Sequence, residues 1–87
     1  MELSDIRKLV IKEATNSHPD IEFDHGDVNK LNTPEDIGME LSDVVVMISG
    51  LETSLGIDIE LAFSEDWLIT TFKQISKDIK GIMESQL

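Results

Sequence analysis

One stripe of apolar residues confines this chain to helical folds more tightly than any other feature. Val44, Met47, Ile48, Leu51 and Leu55 are separated by three, one, three and four residues, which places them on one face of an α-helix. The β-branched triplet Val44-Val45-Val46 favours pleated backbone on its own. The stripe nevertheless runs on through Leu55, further than a strand of ordinary length. Gly56 then supplies a residue that can turn left-handed and end the helix, letting Ile57 fold back toward Leu51. A second stripe, Phe72, Ile75, Ile79 and Ile82, predicts another amphipathic helix after Thr70-Thr71. Its lysines 73, 77 and 80 point outward, the last two toward the negative helix end. A third stripe, Ile6, Leu9, Val10 and Ala14, predicts a helix over residues 5–15, with Ser4 as its N-cap, Asp5 in its first turn, and Lys8 and Lys12 opposite the apolar face.

The connections carry their own signals. Asn16-Ser17-His18-Pro19-Asp20 ends the first helix, since proline disfavours helical backbone in the residue before it. Residues 16–32 form a long loop whose apolar members Ile21, Phe23, Val28 and Leu31 are expected to tuck over the core. Thr33-Pro34-Glu35-Asp36 is a helix-start signature, a capping threonine followed by proline and acids, and Gly38 interrupts it almost at once. One turn followed by the main helix is the expectation. Ile57-Asp58-Ile59-Glu60-Leu61 alternates like a short strand, but no second strand exists to pair with it, so it reads as a loop with inward isoleucines. Ser64-Glu65-Asp66-Trp67 caps a short third helix. Trp67, beside Leu68, reads as core rather than as a hot spot for a partner.

At 87 residues the chain forms one domain and buries roughly 60–65% of its unfolded surface. It has no cysteine, hence no disulfide framework and no thiolate metal site. The opening Met1-Glu2-Leu3-Ser4-Asp5 lacks the basic and apolar regions of a signal peptide, and the longest apolar run, 44–48, is far too short to span a bilayer. A cytoplasmic, monomeric protein is the expectation. Eighteen acids face seven bases, a formal net charge of -11. The bases are Arg7, Lys8, Lys12 and Lys30, then Lys73, Lys77 and Lys80; between Leu31 and Phe72 there is none. Such a middle repels phosphate backbones and anionic lipid, which argues against nucleic-acid and membrane partners, and attracts proteins bearing Lys/Arg patches. A merely solubilising surface accounts for the sign of this charge more easily than for its segregation.

The remaining polar residues point to no chemistry performed by the chain itself. His18, Asp20, Glu22, Asp24, His25 and Asp27 alternate somewhat like a calcium loop. Gly26, however, stands one place late, and Leu31 occupies the position that needs a bidentate glutamate. A polar loop without metal is the expected reading. No serine has a histidine at motif spacing, so no nucleophile–base pair is legible and the chain is not expected to be an enzyme.

Residues 36–59 read D-I-G-M-E-L-S-D-V-V-V-M-I-S-G-L-E-T-S-L-G-I-D-I. This segment resembles the recognition helix of the acyl carrier proteins, which write D-L-G-x-D-S-L-D at that place, then an apolar helix, a Leu-Glu pair and an I-x-I segment. Leu51-Glu52, Leu55 and Ile57-Asp58-Ile59 fall on those features without gaps, and Ile69-Thr70-Thr71-Phe72 resembles the I-T-T-V that opens the family's last helix. The likeness covers residues 36–79, about half the chain. It implies an all-α, four-helix bundle of acyl-carrier type with a long first loop and a short third helix, serving fatty-acid, polyketide or related acyl-transfer pathways. It implies docking on acyl-transferring or phosphopantetheinyl-transferring enzymes through Glu40, Leu41, Asp43, Val46 and Glu52, and a 4'-phosphopantetheine cofactor on Ser42.

The departure from the family pattern lies at the attachment serine. Glu40-Leu41-Ser42-Asp43 stands where D-S-L-D is expected, so the family's serine position is Leu41 and Ser42 comes one residue later. One helical step turns about 100° and rises about 1.5 Å. Three readings follow: Ser42 carries the arm on a helix rewound by one residue; Ser42 caps the helix by accepting the amide of Val44 or Val45; or the arm is lost and the docking surface kept. The alternative outside this family is an acidic helical binding or inhibitor protein of the immunity type, covering a basic enzyme cleft and carrying no acyl group.

Overall fold

The computed structural model describes residues 2–17, 31–60 and 63–86, and its regular structure among them is entirely helical. Helix α1 spans Leu3–Ser17, α2 spans Leu41–Leu55 and α3 spans Phe72–Gln86. Two short 3-10 segments, Glu35–Ile37 and Glu65–Ile69, sit in the connections. No described helix is long and apolar enough to cross a membrane.

Helix α1 starts earlier and ends later than its stripe suggests. The N–H groups of Asp5 and Ile6 both donate to the carbonyl of Glu2, at 3.0 and 3.1 Å. The helix therefore grows from Glu2, and Ser4, expected as the N-cap, lies inside the first turn. At the other end the hydroxyls of Thr15 and Ser17 donate to the carbonyls of Lys12 and Ala14, each at 2.7 Å. Both are local side-chain bonds to the carbonyl three residues back, in the last two turns of the helix. The face predicted to be apolar is the buried one: Ile6, Val10 and Ala14 are fully enclosed.

The Thr33 signature forms one turn, as expected. Thr33 Oγ1 accepts the amide of Asp36 at 3.1 Å while Asp36 Oδ2 accepts the amide of Thr33 at 2.9 Å, a reciprocal cap. Gly38 stops the turn with a left-handed φ of 89°, its N–H on the carbonyl of Glu35. Leu31 does not tuck over the core but stands 61% exposed. The carbonyl of its neighbour Asn32 accepts the amide of Phe72 at 2.9 Å, and Pro34 takes the buried place, so this stretch faces the core without Leu31. The expected anchors Ile21, Phe23 and Val28, and the polar run from His18 to Asp27, lie outside the described residues.

The expected short third helix is a 3-10 segment of five residues, Glu65–Ile69. Ser64 Oγ caps it by accepting the amide of Asp66 at 3.2 Å. Thr70 closes it through a hydroxyl bond to the carbonyl of Asp66 at 2.7 Å, and Thr71 Oγ1 accepts the amide of Gln74 at 3.2 Å in the first turn of α3. Hydroxyl caps this close together leave no length for an α-helix. Trp67 is buried, as expected, and meets Phe63 edge-on with ring centroids 5.9 Å apart.

Helix α1 packs against both α2 and α3, and the segment Glu65–Ile69 packs against α2 and against the Glu35–Ile37 turn. The core forms where these meet. Ile6 and Val10 of α1 face Val44, Met47 and Leu51 of α2 and Phe72, Ile75 and Ile79 of α3, with Ile59 and Trp67 filling in from the connections. At roughly 25 cal/mol per Å² of apolar area, each such side chain contributes about 1.5–3 kcal/mol relative to exposure. The buried Ser76 satisfies its hydroxyl within α3, on the carbonyl of Phe72 at 2.7 Å.

Candidate functional site

The first half of α2 and the loop after it hold the residues that the sequence singles out. Glu40 is the N-cap in extended backbone, so Leu41, Ser42 and Asp43 are the first three helical residues. Asp43 Oδ2 accepts the amide of Glu40 at 2.9 Å, the returning half of a capping box. Ser42 is therefore not the cap. It lies in the first turn, exposed, and its hydroxyl makes no hydrogen bond with another described residue. The helix is not rewound either: Leu41, half-buried, holds the position after the cap.

Position on the helix decides what the valines do. Val44 points into the core, whereas Val45 and Val46 stand 49% and 54% exposed. Val46 was expected on the docking face; Val45 was not singled out, although its place off the Val44–Met47–Ile48 stripe makes its exposure legible. With the exposed Glu40 and Ser42, these valines form a small apolar surface beside an acidic helix start. Ile69, 62% exposed, adds another outward apolar residue on the segment that packs against α2.

Glu52 was expected to face partners. The structure assigns its carboxylate a local task as well: Oε2 accepts the amide of Ile59 at 2.9 Å and that of Glu60 at 3.4 Å. Gly56, with φ 66° and its N–H on the carbonyl of Glu52 at 2.9 Å, reverses the chain so that those amides return to the side chain. Ile59 is thereby driven fully into the core, as the alternation predicted for it, and Ile57 is partly buried. Asp43 likewise serves its own helix. Of the five residues expected to dock, Glu40, Leu41 and Asp43 cluster at the start of α2, Val46 lies one turn on, and Glu52 sits near the far end.

Between α2 and the chain around Phe63 lies an open cleft of about 330 Å³, lined by Val45, Ile48, Ser49, Glu52, Glu60 and Phe63. Its apolar residues and two rim carboxylates all fall between residues 45 and 63, but they meet only because the chain reverses after α2 at Gly56. No family model, no curated protein and no solved structure matches this chain. The resemblance to the carriers rests on the sequence of residues 36–79.

A phosphopantetheine group needs a reachable hydroxyl at a helix start and space around it. Ser42 supplies both, and a phosphodiester in the first turn of α2 would sit at the positive end of the helix. The group would supply a flexible thiol for carrying acyl chains. Among the described residues, no cluster of three or more His, Asp or Glu side chains is arranged for a metal ion.

Proposed function

We propose that this chain is an acyl-carrier-type module that docks through the first half of α2 onto basic patches of acyl-transferring or phosphopantetheinyl-transferring enzymes. Among the described residues, three α-helices with a short 3-10 segment, Glu65–Ile69, between the last two support this reading. One observation carries the reading. Val45 and Val46 project outward just after an acidic helix start, in a stretch of the chain with no Lys or Arg from residue 31 to residue 72. Apolar contact surrounded by negative charge suits a partner whose own apolar contact is ringed by Lys and Arg.

The register favours docking without the arm. Leu41 follows the N-cap, the place of the family's serine, and Ser42 is turned about 100° from it. The chain then acts as a carrier only where Ser42 itself accepts 4'-phosphopantetheine, and otherwise as a docking or regulatory decoy. Coexpression with a broad phosphopantetheinyl transferase, read by intact mass, separates these outcomes. The expected result is no gain of mass for the native chain and a restored arm in the Leu41→Ser, Ser42→Leu double variant. An arm on the native chain that is abolished by Ser42→Ala establishes a carrier. An unmodified double variant removes the carrier reading and favours the immunity-type inhibitor.

A further inference from the structure

The segment that follows α2 has almost no regular structure of its own, yet its backbone is held at consecutive residues by side chains from two different helices. Glu52 of α2 takes the amides of Ile59 and Glu60. Gln86, in the last turn of α3, takes both backbone groups of Asp58: Oε1 accepts its amide at 3.1 Å and Nε2 donates to its carbonyl at 2.7 Å. A carboxamide paired with one residue's N–H and C=O imitates the edge of a β-ladder, across 28 residues of sequence. Asp58 Oδ1 adds a local bond to the amide of Glu60 at 3.2 Å.

We propose that residues 57–60 are a strap that holds one wall of the cleft of α2, through Glu60, and that Gln86 is its latch. The two holds are unequal. Glu52 is half-buried on a helix whose neighbouring Leu51 is fully buried, whereas Gln86 is exposed. The latch is therefore the hold that opens first. Release of Asp58 loosens the chain leading to Glu60, and Glu60 forms part of the cleft wall. Withdrawal of Gln86 from Asp58 and widening of the cleft are one event. This inference does not depend on the docking reading.

Amide hydrogen exchange by NMR on the full chain, together with titration by the neutral apolar dye Nile red, tests it. In Gln86→Ala the amides of Asp58, Ile59 and Glu60 exchange faster, on the order of tenfold for the loss of two modest hydrogen bonds. Those of Val10, Leu51 and Ile75 stay unchanged. Because the loosened wall widens the cleft, the apparent Kd of the dye falls in Gln86→Ala. Gln86→Glu keeps the length but sets a charged acceptor in place of the Nε2 donor, against the carbonyl of Asp58, so it releases the strap at least as far as Gln86→Ala on both measurements. The proposal is overturned if the strap amides are unaffected, if core amides accelerate equally, or if the strap is released with no change in dye affinity.

Discussion

Glu52 shows how one residue can belong to a surface and to a scaffold at once. Its charge lies on the acidic side of α2, and its Oε2 atom organises the loop that delivers Ile59 to the core. Removing the side chain leaves the amide of Ile59 without its acceptor in a partly buried place. Glu52→Ala is expected to lower stability by about 1–3 kcal/mol, the usual cost of an orphaned buried donor. Glu52→Gln retains an acceptor oxygen and is expected to recover most of that loss. Urea unfolding of the two variants checks both statements, and equal destabilisation by Ala and Gln would show that charge, not the bond, is what matters. The same pair separates the two roles: a partner that senses the charge is weakened by both variants, while the fold is weakened mainly by one.

Among whole elements, α2 and α3 each carry a glycine within the helix, and their surroundings set opposite expectations. Around Gly81 a new Cβ meets nothing within 4 Å, so Gly81→Ala is expected to stabilise by about 0.8–1 kcal/mol through helix propensity alone. For a domain of this size that raises Tm by roughly 4–8 °C. Gly50 faces the carboxyl of Glu13 on α1, which fills the space a methyl group needs and also accepts from the Ser54 hydroxyl at 3.4 Å. Gly50→Ala must push Glu13 aside, so its gain is expected to be clearly smaller than that of Gly81→Ala. Thermal melts of the two variants side by side decide the comparison. At the start of α2, Asp43→Ala removes the returning bond to Glu40 and is expected to cost about 0.5–2 kcal/mol. Amide exchange in residues 41–44 should rise first, because the loss lies in that turn; an unchanged first turn would mean the capping box contributes nothing.

Across the whole molecule, charge is the dominant unbalanced quantity. A formal net charge of -11 on 87 residues, with every base outside the stretch between Leu31 and Phe72, makes the folded state repel itself. Raising ionic strength from about 0.01 M to about 0.15 M shortens the screening length from about 30 Å to about 8 Å. Tm is therefore expected to rise with added salt, measured by calorimetry, and a flat or falling Tm would contradict self-repulsion as the controlling term. Docking on a basic enzyme patch should move the opposite way, weakening over the same range, because the same screening removes the attraction.

The stripes at Ile6–Ala14, Val44–Leu55 and Phe72–Ile82 already determined three amphipathic helices, and Gly56 and the Thr33 signature already marked where the chain turns. A helical period is a local property: it follows from 3.6 residues per turn and needs no partner to be read. The same holds for Ser64 as a cap and for Ile59 as an inward residue. Caps were less legible, because any nearby group can satisfy a helix end; Glu2 took the place expected of Ser4, and Glu40 the place that one of three readings gave to Ser42. The site was legible only as far as it lies on α2. That Leu31 faces outward, that Glu52 holds the loop and that Gln86 reaches Asp58 were all decided by the tertiary structure. Each depends on a hydrogen-bond partner or packing neighbour that comes within reach only after the chain has folded back on itself.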